Sequence, residues 1–281
     1  MISEIILVVT IFLNLILGVF VFSQNTKSTS HRVFSLLAFL GAIWSTSNLL
    51  TGLTQTVYWL ILTYAIGLLV ISCGLMWTYI LVEKKISLQK MTVVLGLVFV
   101  FFFLSFQENF LVRLPLNGLI VGDINKMTGW GLPMYALLYV TLAVIMILKL
   151  YTAQRKTHGL SEASQYKLVL IGATISLLAS AFTSFIIPFS KISLSGTLDS
   201  TGFLIFACFV SYAITRHQLF NIQIITIELV TLCLWLSILI KVIFVNTFQE
   251  MLLEAYLLII SLVFGIMLIK STISEIENRE H

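Results

Sequence analysis

Apolar residues gather in nine blocks along the chain, near 5–23, 33–54, 57–82, 91–106, 132–151, 168–188, 200–215, 224–246 and 251–269, with short polar junctions between them. Most approach the roughly 20 residues that a helix needs to cross the hydrocarbon core of a bilayer. The sustained ten-residue alternation of a membrane barrel is absent, so backbone polar groups in lipid must be satisfied within helices. The pattern predicts an all-α, polytopic transmembrane bundle of about nine helices.

Composition sharpens this picture. Of 281 residues, 59% are hydrophobic and 10% charged, and the mean hydropathy is +1.07. A soluble domain would carry about 25% charge. The net charge of +4 is therefore read through placement. If the helices alternate from an outside N-terminus, twelve basic residues fall in inner segments (Lys27, Arg32, Lys84, Lys85, Lys90, Lys149, Arg155, Lys156, Lys167, Arg216, Lys270, Arg279). Only Arg113, Lys126 and Lys191 fall outside, and Lys241 lies within a span. The asymmetry predicts N-outside and C-inside, in the plasma membrane, with the bilayer as partner and no nucleic acid. Cys73, Cys208 and Cys233 lie in apolar blocks without metal or disulfide spacing, and are expected to be small core residues.

Polar side chains inside the blocks are the candidates for chemistry, because hydrocarbon cannot satisfy them. In the second block Trp44, Asn48, Thr51 and Gln55 stand at i, i+4, i+7 and i+11, on one helix face. In the sixth, Ser176, Ser180, Thr183 and Ser184 form a comparable stripe. Both run toward the predicted outer side. Two such stripes can line one cleft, and Trp44, Asn48, Thr51, Ser180 and Thr183 are the candidate contacts for a small apolar or lipid-like ligand. Alternatively, Ser and Thr allow close helix packing and bond their own backbone carbonyls. Gly67, Ile71, Gly74 and Thr78 in the third block read as a packing stripe. The long loop from Gln107 to Gly131 carries turn residues and is expected to cap the outer end.

Catalysis has no foothold in the sequence. It lacks a Walker A loop, a G-x-G-x-x-G, an H-E-x-x-H and a G-x-S-x-G, and His31, His158, His217 and His281 are scattered. No cofactor, metal or enzymatic activity is expected of these residues.

The polar cluster that follows the seventh block reads Tyr-Ala-Ile-Thr-Arg-His-Gln-Leu-Phe-Asn-Ile, Tyr212 to Ile222. Upstream, Arg155, Lys156, Gly159, Ser161 and Gln165 precede the sixth block, which holds Gly172 and Pro188. These features resemble the seven-helix N-terminal membrane region of bacterial and archaeal histidine kinases, with Asn221 where that family usually has Asp. The resemblance implies a membrane sensor at residues 1–222 of a two-component system, with Arg216, Leu219 and Phe220 at its signal output. The kinase core itself is not found in these 281 residues.

A two-helix membrane hairpin is expected at 223–270, and the start of a cytoplasmic signalling helix at 271–281. In the hairpin, Lys241 is expected to pair with Glu254 as a structural ion pair. Ile269, Ile273 and Ile276 at i, i+4 and i+7 begin a heptad seam for signal output, so the full-length protein is expected to be a homodimer. The other reading is a small transporter for an apolar or weakly polar solute. That would call for inverted repeats and Gly- or Pro-broken helices at the midplane, and with three prolines the signature is missing.

Overall fold

The computed structural model describes residues 2–84, 88–113, 129–157, 160–182, 202–206, 209–210, 231, 234–235, 238–239, 255–267 and 270–271. Among them there are six long helices and no strands: α1 (Ile2–Gln24), α2 (Thr29–Thr54), α3 (Val57–Glu83), α4 (Leu88–Ser105), α5 (Leu132–Lys156) and α6 (Leu160–Ala181). Residues 202–206 and 209–210 are also helical and are called α7 here. The chain divides into two compact units, Met1–Ala213 and Ile214–His281.

Among the described residues five stretches are long and apolar enough to cross a membrane: Glu4–Ser23, Thr29–Thr54, Val57–Glu83, Leu132–Lys156 and Ala163–Ser180. Met91–Ser105 and Ala255–Met267 are shorter apolar helices. The first five blocks predicted from sequence coincide with α1 to α5 within a few residues. α6 starts eight residues before its apolar block, because backbone bonds can continue through the polar turn 160–167 without hydrocarbon around it.

In the first unit α3 is the hub, packed against α2, α4 and α5, while α1 leans on α2 and α6 on α5. Its apolar residues are buried almost all the way round, with Val57, Ala65 and Leu68 fully enclosed. That is how an all-apolar helix behaves at the centre of a membrane bundle. The peripheral helices differ. Val93, Phe99 and Phe103 of α4, Leu137 of α5 and Leu178 of α6 are each more than half exposed. In water so much apolar surface would drive aggregation, whereas lipid covers it at no cost.

Short connections fix the helix order. Between α1 and α2 the Asn25 side chain accepts hydrogen bonds from the Lys27 and Ser28 amides, at 3.1 and 3.0 Å. Between α2 and α3, Gln55 takes a left-handed conformation (φ 51°) and its amide closes the last turn onto the Thr51 carbonyl at 2.9 Å. Polar side chains then tie helices together. The Ser35 hydroxyl donates to the Gly18 carbonyl at 2.6 Å, and the Tyr135 hydroxyl reaches from α5 to the Tyr64 carbonyl of α3 at 2.8 Å. Lys149 of α5 forms an ion pair with Glu83 of α3 and lies over the Tyr79 ring, 4.6 Å from its centroid.

Of the long loop, the two ends are described. The Gly129 amide donates to the Leu111 carbonyl and the Gly131 amide to the Phe110 carbonyl, at 2.7 and 2.8 Å. The buried Phe110 ring meets Trp130 edge to face at 4.9 Å. The turn residues expected at 114–123 lie outside the described residues.

In the second unit, the Trp235 indole donates to the Ser261 carbonyl at 2.9 Å. Gly265 lets the same ring close in, since a Cβ there would stand 2.5 Å from Trp235 Cζ2 and 2.6 Å from Thr231 Cγ2. These contacts join the two stretches that the sequence reads as the last membrane hairpin.

Candidate functional site

The helix faces of the first unit meet around an aromatic column. Phe34 of α2 packs on Trp77 of α3 (centroids 5.2 Å apart), and Trp77 meets Phe206 of α7 edge to face at 6.4 Å. Phe206 touches Phe203 at 6.0 Å, and Phe203 meets Trp44 of α2 at 6.2 Å with the planes at 89°. Edge-to-face pairs of this kind contribute about 0.5–1.5 kcal/mol each beyond area burial. Phe203, Phe206 and Val210, at i, i+3 and i+7, are all buried, so α7 presents one continuous face to the core.

Glycine makes room for this face. A Cβ added at Gly41 of α2 would overlap the Phe203 ring, so Phe203 sits in a socket that only glycine leaves open. A Cβ at Gly172 of α6 would approach Phe209 Cβ to 2.6 Å, and one at Gly202 would approach Ala179 Cβ to 2.8 Å.

A small cavity of about 40 Å³ lies at the head of the column. Its wall comes from five helices, among them Trp44 of α2, Gly67, Ile71 and Gly74 of α3, Tyr139 and Met146 of α5, Ser176 and Ser180 of α6, and Phe203 and Phe206 of α7. Each water needs about 10–15 Å³ of such volume, so the space holds about three. Among the described residues no charged side chain lines it.

The sequence-predicted contacts divide as follows. Trp44 and Ser180 share the cavity wall and are buried, at 6% and 3% exposure. Asn48 and Thr51 do not line it, being one and two turns further along α2, and the Thr51 hydroxyl donates to the Ser47 carbonyl at 2.8 Å. Gln55 is the exposed C-cap of α2. Thr183, Arg216, Leu219, Phe220, Lys241, Glu254, Ile269, Ile273 and Ile276 lie outside the described residues.

The α3 packing stripe also borders the cavity, through Gly67, Ile71 and Gly74. At Gly67 the approach is close, since a Cβ there would stand 3.1 Å from the Tyr135 hydroxyl. At Gly74 an added Cβ would meet Met146 Sδ at 3.6 Å and Leu37 Cδ1 at 4.0 Å, ordinary contact distances, so a methyl group fits there without displacing a neighbour. Thr78 donates to the Gly74 carbonyl at 2.9 Å, as a packing residue should.

Sequence reasoning overlooked Gly41, Tyr139, Met146, Phe203 and Phe206. A signal existed for three of them. Gly41 shares a helical face with Phe34, Trp44 and Asn48, and Phe203 and Phe206 begin an i, i+3, i+7 apolar stripe. Asn14 of α1 also went unremarked. It is fully buried, its amide donates to the Thr10 carbonyl at 3.0 Å, and its Oδ1 has no partner.

Among the described residues no group of three or more His, Cys, Asp or Glu side chains stands close enough to hold a metal ion. The family model of the N-terminal 7TM region of histidine kinases matches residues 6–223. No curated protein and no solved structure matches the chain.

Proposed function

Because this chain belongs to the family of N-terminal seven-helix membrane regions of histidine kinases, we propose that it is a sensory input region of a two-component system. It receives a stimulus outside or within the bilayer and passes it through its last helix to a cytoplasmic transmitter. It does no chemistry of its own.

One observation supports this reading above the others: the cavity wall at Trp44 and Ser180 is shared with Phe203 and Phe206 of α7, the helix that leads into Tyr212–Ile222. A guest entering between Trp44 and Phe203 changes how α7 packs on α2, α3 and α6. Packed helices answer such a push by small shifts or rotations between discrete arrangements. In this scheme the ligand contacts are Trp44 and Ser180, with Asn48, Thr51 and Thr183 on the approach. Arg216, Leu219 and Phe220 carry the shift across the junction. The hairpin of 223–270 holds Lys241 and Glu254 as its ion pair and relays the shift to the Ile269, Ile273 and Ile276 seam, where two copies pair.

The scheme requires nine spans with the N-terminus outside and the C-terminus inside, as the basic residues favour. Single cysteines introduced at Asn117 and Thr157 should react with a membrane-impermeant maleimide from opposite faces of sealed vesicles, Asn117 from outside. Reaction of both from one face removes the path from stimulus to cytoplasm.

A further inference from the structure

The cavity contains a detail that packing does not explain. The Trp44 side chain is buried at 6% exposure, yet among the described residues its indole Nε1–H has no hydrogen-bond partner. The nitrogen lies over Gly67, 3.5 Å from the point where a Cβ would stand. The nitrogen is not one of the enclosed, unpartnered atoms, as Asn14 Oδ1 is, so it keeps accessible surface toward the cavity that Trp44 lines. The Ser176 hydroxyl on α6 is in the same position. It lines the cavity at 7% exposure and makes no bond to a described residue, whereas Thr174 beside it donates back to the Leu170 carbonyl at 2.7 Å. Two unused polar groups, one a donor only and the other a donor and acceptor, therefore face an otherwise apolar space.

We propose that this cavity is a binding site for a small, neutral molecule bearing a single hydrogen-bond acceptor, such as a carbonyl or ether oxygen, which accepts from the Trp44 Nε1–H. The class follows from three constraints. The volume of about 40 Å³ admits only a few heavy atoms. The wall offers no charged group, so an ion would enter without a counter-charge. Apart from the polar groups, the lining is aromatic, glycine and methionine surface, which suits short alkyl substituents on that oxygen. Such molecules partition into bilayers, so the guest reaches the bundle from lipid as readily as from water. The inference deepens the sensory reading and rests on it for its biological meaning, though not for its chemistry.

The test uses acetone and isobutene, which share one shape and differ in that an oxygen replaces a methylene. The full chain, labelled with ¹⁵N-tryptophan in nanodiscs, gives five indole signals, and loss of one in Trp44→Phe assigns Trp44. Acetone should move the Trp44 Nε1–H proton downfield in a saturable way and leave the other four signals in place, while isobutene should give no downfield shift. Gly74→Ala adds a methyl group that meets Met146 and Leu37 at ordinary contact distance, and should weaken acetone binding several-fold with the Trp44 signal otherwise unchanged. A linear response shared by all five indoles, equal responses to the two probes, or undiminished acetone binding in Gly74→Ala would overturn the proposal. Binding of acetone to a chain whose C-terminal helix does not respond would leave the site standing and count against the sensory reading. A C-terminal response to Gly74→Ala without acetone binding would do the reverse.

Discussion

Replacing Trp77 with alanine should destabilise the first unit by about 3–5 kcal/mol, the range for deleting a large buried aromatic side chain. Trp77 is the largest of the fully enclosed side chains, and it holds Phe34 on one side and Phe206 on the other. In a membrane the hydrophobic term between helices vanishes, because lipid tails solvate apolar groups as well as the core does. What is lost is dispersion contact and the cost of the hole left behind, so the effect depends on how little α2, α3 and α7 can close up. Reversible unfolding in mixed micelles would measure it. Trp77→Phe should cost markedly less. A Trp77→Ala midpoint equal to wild type would mean that the aromatic column contributes nothing to the fold.

The second large effect is expected at Gly41. Gly41→Ala places a methyl group where the Phe203 ring now lies, and overpacking of this kind costs about 1–3 kcal/mol. The same helix supplies its own control. Gly52 has nothing within 4 Å of a would-be Cβ, so Gly52→Ala should be neutral or stabilising by up to about 1 kcal/mol through helix propensity alone. The cost at Gly41 should also shrink when Phe203 is Ala. In a double-mutant cycle Gly41→Ala and Phe203→Ala should show a coupling of about 0.5–3 kcal/mol, with the pair less damaging than the sum. Additivity would show that α7 does not pack in the Gly41 socket.

Much of this architecture was legible from residue order, and the reasons differ from element to element. Hydrophobic blocks mark membrane helices because hydrocarbon leaves the backbone few alternatives, so α1 to α5 could be bounded within a few residues. The convergence of Trp44 with Ser180 was legible because helical spacing assigns each a face, and both faces point inward. Asn48 and Thr51 share that face but do not line the cavity. From Trp44 to Thr51 a helix climbs about 10 Å, well beyond the reach of a cavity only a few waters across. That the Gly67 and Gly74 packing stripe also borders a cavity was not legible, because a small-residue stripe looks the same however closely its neighbours approach, and only the positions of side chains such as Tyr135 and Met146 show it. The Gly41 socket for Phe203 joins positions 162 residues apart in sequence, and no local pattern pairs a glycine with one particular aromatic ring.

The claim at the centre of this account is that the state of the Trp44 cavity is communicated to the C-terminal helix. Disulfide crosslinking of a cysteine at Ile273 tests it most directly, in native membranes and in the full-length protein, with and without Gly74→Ala. The account predicts that Ile273→Cys crosslinks to the same position of a second copy, and that filling the cavity at Gly74 changes the crosslinking rate while the unfolding midpoint holds. Equal rates in the two backgrounds, or no crosslinking at Ile273 where neighbouring membrane positions do crosslink, would contradict it.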